Sequence, residues 1–167
     1  MDEMDAIQAS LMSFTQKLDS AVNDTFNELR KSSFFDPVPS VALKDIARLF
    51  TIRTFRTGEQ LTREGDEISS CFVILFGQAK VQVHGTAVAL IHSGECIGEA
   101  AFFATEASSR SATVVAEGEV IAAEIRKRDI GSMTDESRIY MDKALLTALF
   151  RKLQQANRKI EELLRSS

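Results

Sequence analysis

The chain holds 167 residues, 44% hydrophobic and 26% charged, with a formal net charge of -4. That balance belongs to a globular domain rather than a disordered or collagen-like chain, and the length is enough to bury a core without staples. The acidic charge argues against a general nucleic-acid binder, and no run of about 18 apolar residues offers a membrane span. Two cysteines, Cys71 and Cys96, make neither a disulfide framework nor a zinc site, which points to a reducing, cytoplasmic setting. The N-terminus, Met1-Asp2-Glu3, is acidic with no apolar core behind it, so no secretory signal is expected.

Residues 1–33 contain neither Gly nor Pro. Met4, Ile7, Leu11, Phe14 and Leu18 recur at steps of three and four, continued by Val22, Phe26 and Leu29, which predicts an amphipathic helix. Ser32-Ser33 and Asp36-Pro37-Val38-Pro39 end it. Ser40 then reads as the N-cap of a short helix to about Phe50, with Val41, Ile46, Leu49 and Phe50 facing inward.

The middle is a series of predicted short strands punctuated by glycine. Ile52–Arg56 ends at Thr57-Gly58. The apolar run Cys71–Phe76 reads as a buried strand, turned by Gly77-Gln78 into Ala79–His84, which alternates apolar and polar. His84-Gly85-Thr86 is a tight turn into Ala87–Ile91. Ala112–Ala116 and Val120–Glu124 are predicted as two strands joined across Glu117-Gly118-Glu119. Many short antiparallel strands with regular turns imply a barrel or jelly-roll sandwich.

From about residue 135 Gly and Pro vanish again, and a second long helix is predicted, capped by Thr134 or Asp135. Leu146, Leu149, Leu153, Ala156, Ile160 and Leu163 follow a heptad spacing. That seam either joins two copies of the chain or packs on its own domain. The basic residues there (Arg151, Lys152, Arg158, Lys159, Arg165) read as a solvated face in preference to a nucleic-acid contact.

The window that carries chemistry runs from Gly94 to Ala116. Gly98 stands before a predicted single helical turn, Glu99–Phe103. A glycine there lets backbone approach a ligand closely, and the first N–H groups of the turn favour an anion. Arg110 follows beside two small residues, Ser111 and Ala112, at a strand start, where its guanidinium fork suits phosphate oxygens. Glu99 can accept from a hydroxyl. A cation, an N–H cradle and a hydroxyl acceptor in one loop suit a phosphorylated sugar.

This window resembles the phosphate-binding cassette of the cyclic nucleotide-binding domain family, the sensor domain of the catabolite activator protein type. Gly98-Glu99-Ala100-Ala101 and Arg110-Ser111-Ala112 match the family pattern, and Thr57-Gly58-Glu59, Arg63-Glu64-Gly65-Asp66, Phe76-Gly77 and Ser93-Gly94-Glu95 fall where the family has its glycines. The likeness covers roughly residues 40–130 and, with the last helix, most of the chain. It implies a mainly β fold with flanking helices: a double-stranded β-helix, or jelly-roll β-roll, with N-terminal helices and a long C-terminal one. The expected division is residues 1–33, the roll at 34–131 with its cassette at 94–113, and a hinge and helix at 132–167. The resemblance assigns Glu99 to the ribose 2′-hydroxyl, Arg110 to the cyclic phosphate, Ser111 to an exocyclic phosphate oxygen, and Gly98 with the N–H groups of Ala100 and Ala112 to the cradle. Gln155 and Asn157 are candidates for the base, or else solvated helix residues. Ser111 after Arg110 resembles cAMP binders without excluding cGMP.

The implied protein is a sensor whose C-terminal helix shifts to signal to an effector, with no catalytic residues, no cofactor beyond the cyclic nucleotide and no metal. No DNA-reading module is expected after the last helix. Two alternatives stand. Glu99 and Arg110 form a structural ion pair in a degenerate pocket, leaving an interaction module that works through its helices. Or His92 and Cys96, four apart, serve a haem-based sensor. An enzyme is not expected, since no Ser-His-Asp, Cys-His or metal-ligand set is visible.

Overall fold

The structure is a computed structural model that describes residues 3–103 and 107–166. The readings of Met1 and Asp2, and of residues 104–106 within the cassette window, lie outside the described residues. Helix α1 (Glu3–Arg30), a 3-10 turn (Ser33–Phe35) and helix α2 (Ser40–Ala47) lead into strands β1 (Phe50–Phe55), β2 (Gln60–Thr62), β3 (Ser70–Val83), β4 (Thr86–His92) and β5 (Cys96–Ile97). Helix α3 (Ala100–Phe103), strand β6 (Thr113–Arg126) and helices α4 (Lys127–Ile130) and α5 (Asp135–Arg165) follow.

The strands pair antiparallel in the order β1-β6-β3-β4, with β2 on β6 and β5 on β3. This is the expected mainly antiparallel β-roll with helices on both flanks. β3 and β6 correct the sequence reading: each is one 14-residue strand, where two shorter ones were expected. They pair from Ser70↔Arg126 to Gln82↔Thr113. Gly77 and Gly118 are irregularities within these strands, not turns between them. The register slips between Ile74, Phe76 and Gln78, and Gly77 sits at φ +82° with its backbone against Glu119; a Cβ there would overlap the Glu119 carbonyl. Bulges of this kind bend a strand and increase its twist, which lets one long ribbon curl around a core. The turn at His84-Gly85 is as expected, linking Val83↔Thr86.

The period of two along β3 and β6 divides their side chains between two cores. Phe72 and Ile74 join Phe55, Leu61, Ile97, Val120 and Ala122 inside the roll. Cys71 and Val73 join Ala123 and Ile125 on the outer face, under Leu29, Phe35, Leu43, Ile46, Met141 and Leu145 from the helices. Covered on both faces, β3 can read as the continuous apolar run that its sequence shows.

Ser40 is not the cap of α2. Pro39 holds the cap position in an extended conformation with no side-chain hydrogen bond, its carbonyl accepting from Leu43 N–H at 2.8 Å. The Ser40 hydroxyl accepts instead from Arg30, which also donates to the Val38 carbonyl at 3.0 Å and so ties the end of α1 to the start of α2. The helix stops at Ala47, Phe50 opens β1, and Val41, expected inside, is 84% exposed. Of the alternatives at the start of α5, Thr134 is the cap and accepts from Ser137 N–H at 3.2 Å. Asp45 of α2 accepts from both the Thr134 and Ser137 hydroxyls, at 3.3 and 2.8 Å.

Both long helices dock at one end. Leu29 is the buried residue of α1, with Val22 and Phe26 packed against the core, while Met4, Ile7, Leu11, Phe14 and Leu18 are exposed. α5 buries Met141, Ala144, Leu145 and Ala148. Its heptad seam is therefore not the packing face: Leu146, Leu153, Ala156, Ile160 and Leu163 are exposed and Leu149 is half-buried.

Candidate functional site

A cavity of about 300 Å³ opens at the roll where β5, α3 and the start of β6 converge. All six residues expected to hold a ligand line it: Gly98, Glu99, Ala100, Arg110, Ser111 and Ala112. Its apolar wall is Ile68, Val81, Ile91, Ile97 and Val114, with Thr62 beside them. Lys152 of α5 reaches it from the helical side.

Arg110 is the charged centre of this cavity, and it is buried. Its backbone is pinned to the opposite loop, where Arg110 N–H donates to the Asp66 carbonyl at 2.7 Å and Gly65 N–H donates to the Arg110 carbonyl at 2.9 Å. The side chain crosses to β3. Nη2 donates to the Ser70 carbonyl at 2.8 Å and to its hydroxyl at 3.3 Å. Nη1 is buried and has no hydrogen-bond partner among the described residues. Burial pulls the guanidinium pKa below its ordinary value, opposed by the negative charge that Glu124, Asp66 and Glu99 place around it. Arginine nevertheless stays charged at neutral pH, so a buried cationic donor stands at the cavity with one nitrogen unmatched.

Gly98 permits this placement. Its φ is +76°, and a Cβ there would lie 2.7 Å from the Ser70 carbonyl oxygen and against Arg110 Nη1. Glycine is required both by the backbone angle and by the guanidinium packed on it. Immediately after it, Glu99 leads into α3, where Ala101 N–H donates to the Gly98 carbonyl at 3.0 Å.

Glu99 and Arg110 form no ion pair among the described residues. Glu99 faces Lys152 instead, Oε1 to Nζ at 3.5 Å, and Lys152 also donates to the Cys96 carbonyl. Lower on α5, Arg138 donates to the Phe102 carbonyl at 2.9 Å and stacks on the Phe102 ring. The cradle and α5 are thus joined at two points.

Gln155 and Asn157 are not brought to this cavity. Gln155 lines a separate one of about 210 Å³ with Ser33, Arg151 and His92–Glu95, and Asn157 is exposed. The α5 residue at the cradle is Lys152, which sequence reasoning took for part of a solvated face. Ser70, the anchor of Arg110, carried no signal at all. His92 and Cys96 form no joint site: His92 is exposed and Cys96 is fully buried, its thiol pushed up to about 12 by that burial. Among the described residues no group of three His, Cys, Asp or Glu gathers to hold a metal, and no helix is long and apolar enough to cross a membrane.

The antiparallel roll thus presents a buried arginine beside a glycine-led turn at the mouth of one cavity. The family model for the cyclic nucleotide-binding domain matches residues 52–137, just over half of the chain, and the chain belongs to that family. A cGMP-dependent protein kinase of Plasmodium berghei is 24% identical over 138 residues, 80% of this chain and 16% of that protein. One from Toxoplasma gondii is 28% identical over 89 residues, 53% of this chain and 9% of that protein. The chain therefore spans only a small part of the curated relatives it matches. Among solved structures, a cyclic nucleotide-binding domain from Methylobacillus flagellatus superposes with a TM-score of 0.71 at 18% identity, over 86% of this chain and 84% of that one. The regulatory subunit of a cAMP-independent protein kinase A from Trypanosoma brucei gives 0.67 at 20% identity, over 87% and 50%. At these identities the structural likeness speaks for the fold.

Proposed function

We propose that the chain is a cyclic nucleotide sensor that binds its ligand without cleaving it, with cAMP preferred over cGMP. The observation that carries this reading is that Arg110, whose buried Nη1 has no hydrogen-bond partner among the described residues, lines a cavity of ligand size. A buried donor without a partner costs about 1–3 kcal/mol, and an anionic oxygen is the acceptor it lacks. The phosphate binds there, with the Ser111 hydroxyl on an exocyclic oxygen and the Ala100 and Ala112 N–H groups completing the cradle. Glu99 accepts from the ribose hydroxyl. The preference for cAMP rests on Ser111 following Arg110.

The same geometry supplies an output. Lys152 and a ribose hydroxyl compete for Glu99, so ligand binding loosens the contact that holds α5 on the cradle. A ligand biases such an equilibrium only by its differential affinity for the two arrangements, and couplings of this kind run to about 1–3 kcal/mol. The movement of α5 would pass the shift to an effector protein.

Isothermal titration calorimetry of the purified chain with cAMP and cGMP, beside Arg110→Ala, tests the reading. Binding of cAMP that exceeds cGMP and weakens at least ~10-fold in the variant is expected. Absence of heat with both nucleotides, in protein shown to carry none through purification, would overturn it. So would unchanged affinity in the variant.

A further inference from the structure

The two exposed helical stripes have matching length and opposite charge. On α1, Met4, Ile7, Leu11, Phe14 and Leu18 are 51–66% exposed. They run along ~20 Å of helix at about 1.5 Å per residue. On α5, Leu146, Phe150, Leu153, Ile160 and Leu164 are 55–73% exposed, along ~27 Å by the same rise. Large apolar side chains in such numbers mark an interaction surface rather than ordinary exposure.

Charge selects the partner. Helix α1 as a whole holds Glu3, Asp5, Asp19, Asp24 and Glu28 against Lys17 and Arg30, a net of -3. The distal stretch of α5 holds Arg151, Arg158, Lys159 and Arg165 against Glu161 and Glu162, a net of +2 without Lys152, which faces Glu99. Asp5, Asp19, Asp24, Arg158, Lys159 and Arg165 are exposed, and none of the six is in an ion pair among the described residues. Pairing α1 with α1, or α5 with α5, brings together two helices of the same net charge. Pairing α1 with α5 sets opposite charges together and covers both stripes at once.

We propose that the chain forms a two-fold dimer in which α1 of each copy packs on the distal half of α5 of the other. The arrangement is closed and isologous, because the two pairings are copies of each other, and it yields four helices sharing one apolar seam. It differs from the expectation drawn from the heptad spacing, in which α5 meets α5. The proposal stands independently of what the cavity binds.

Sedimentation equilibrium of the full chain, without nucleotide, tests it with charge-reversed variants. One carries Asp5→Lys, Asp19→Lys and Asp24→Lys; the other carries Arg158→Glu, Lys159→Glu and Arg165→Glu. The parent is expected to dimerise, more weakly as salt is raised from ~0.05 to ~0.5 M. Each variant alone is expected to dimerise at least ~10-fold more weakly. An equimolar mixture of the two, and a single chain carrying all six changes, are expected to regain the dimer, since each α1 then again meets an α5 of opposite charge. A monomeric parent overturns the proposal. An α1 variant that dimerises like the parent overturns it too, as it would leave α5 pairing with α5. Failure of both the mixture and the six-fold variant to regain the dimer also overturns it.

Discussion

Replacing Arg110 by Met should move affinity and stability very differently. The side chain is buried, with Nη2 bonded to Ser70 at 2.8 and 3.3 Å and Nη1 without a partner. Removing Nη2 forfeits a charged hydrogen bond of about 1.5–3 kcal/mol, while removing Nη1 relieves an unsatisfied buried donor that costs about 1–3 kcal/mol. Met is of comparable length and adapts to irregular space. The two terms largely offset, so the ligand-free fold should change by less than ~2 kcal/mol. Affinity has no such offset. Losing a desolvated charge pair to phosphate costs about 2–5 kcal/mol, or roughly 30-fold to several thousand-fold. Urea denaturation of the nucleotide-free protein reads the first quantity, provided the slope is unchanged; calorimetry with cyclic nucleotide reads the second. Arg110→Lys should fall between, keeping the charge but losing the fork that reaches Ser70 and a ligand together. A loss of stability above ~3 kcal/mol, of the size that follows when a buried charge loses its partner, would refute the reasoning. Arg110 would then be a structural cation, and Nη1 no vacancy for a ligand.

Lys152→Met should tighten cyclic nucleotide binding by about 2- to 3-fold, since its partly exposed ion pair with Glu99 is worth ~0.5 kcal/mol; calorimetry that shows weaker binding would make Lys152 a ligand contact instead. Gly77→Ala should destabilise the roll by at least ~2 kcal/mol, because φ +82° is costly for any L residue and the new Cβ meets the Glu119 backbone, which cannot swing away; a shift in the urea midpoint measures it. Burial pushes the Cys96 thiol from 9.0 up to about 12. The folded chain therefore keeps a proton that the unfolded chain releases above pH 9, and stability falls as pH rises from there toward 12, by up to about 1.4 kcal/mol per pH unit. Denaturation at several alkaline pH values should show a shallower decline in Cys96→Ala than in the parent.

The cradle was legible in the sequence because its parts are local: Gly98 and Glu99 adjoin, and Arg110 follows within the same loop beside two small residues. The helices were legible because apolar side chains recur at helical spacing along each. What lay hidden came from contacts between distant positions. Arg110 is oriented by Ser70, 40 residues away, and Glu99 is met by Lys152, 53 residues away. Neither partner sits in a local pattern that marks it. Gly77 and Gly118 show why strand breaks were misplaced. A glycine at positive φ serves a turn or a bulge equally well, and only the cross-strand pairing of β3 with β6 tells which it is.

The residues by themselves determined that a glycine-punctuated β unit lies between two amphipathic helices and that Gly98, Glu99 and Arg110 share one loop, since periodicity and loop chemistry are properties of neighbouring residues. The folded chain alone decided which face of each helix is buried. Met141, Ala144, Leu145 and Ala148 of α5 win the core over the heptad seam one position away because the loop behind Thr134, pinned to Asp45, sets the rotation of the helix. That rotation also brings Lys152, and not Gln155 or Asn157, to the cradle: a turn of a helix about its axis changes every contact and leaves the sequence pattern as it was.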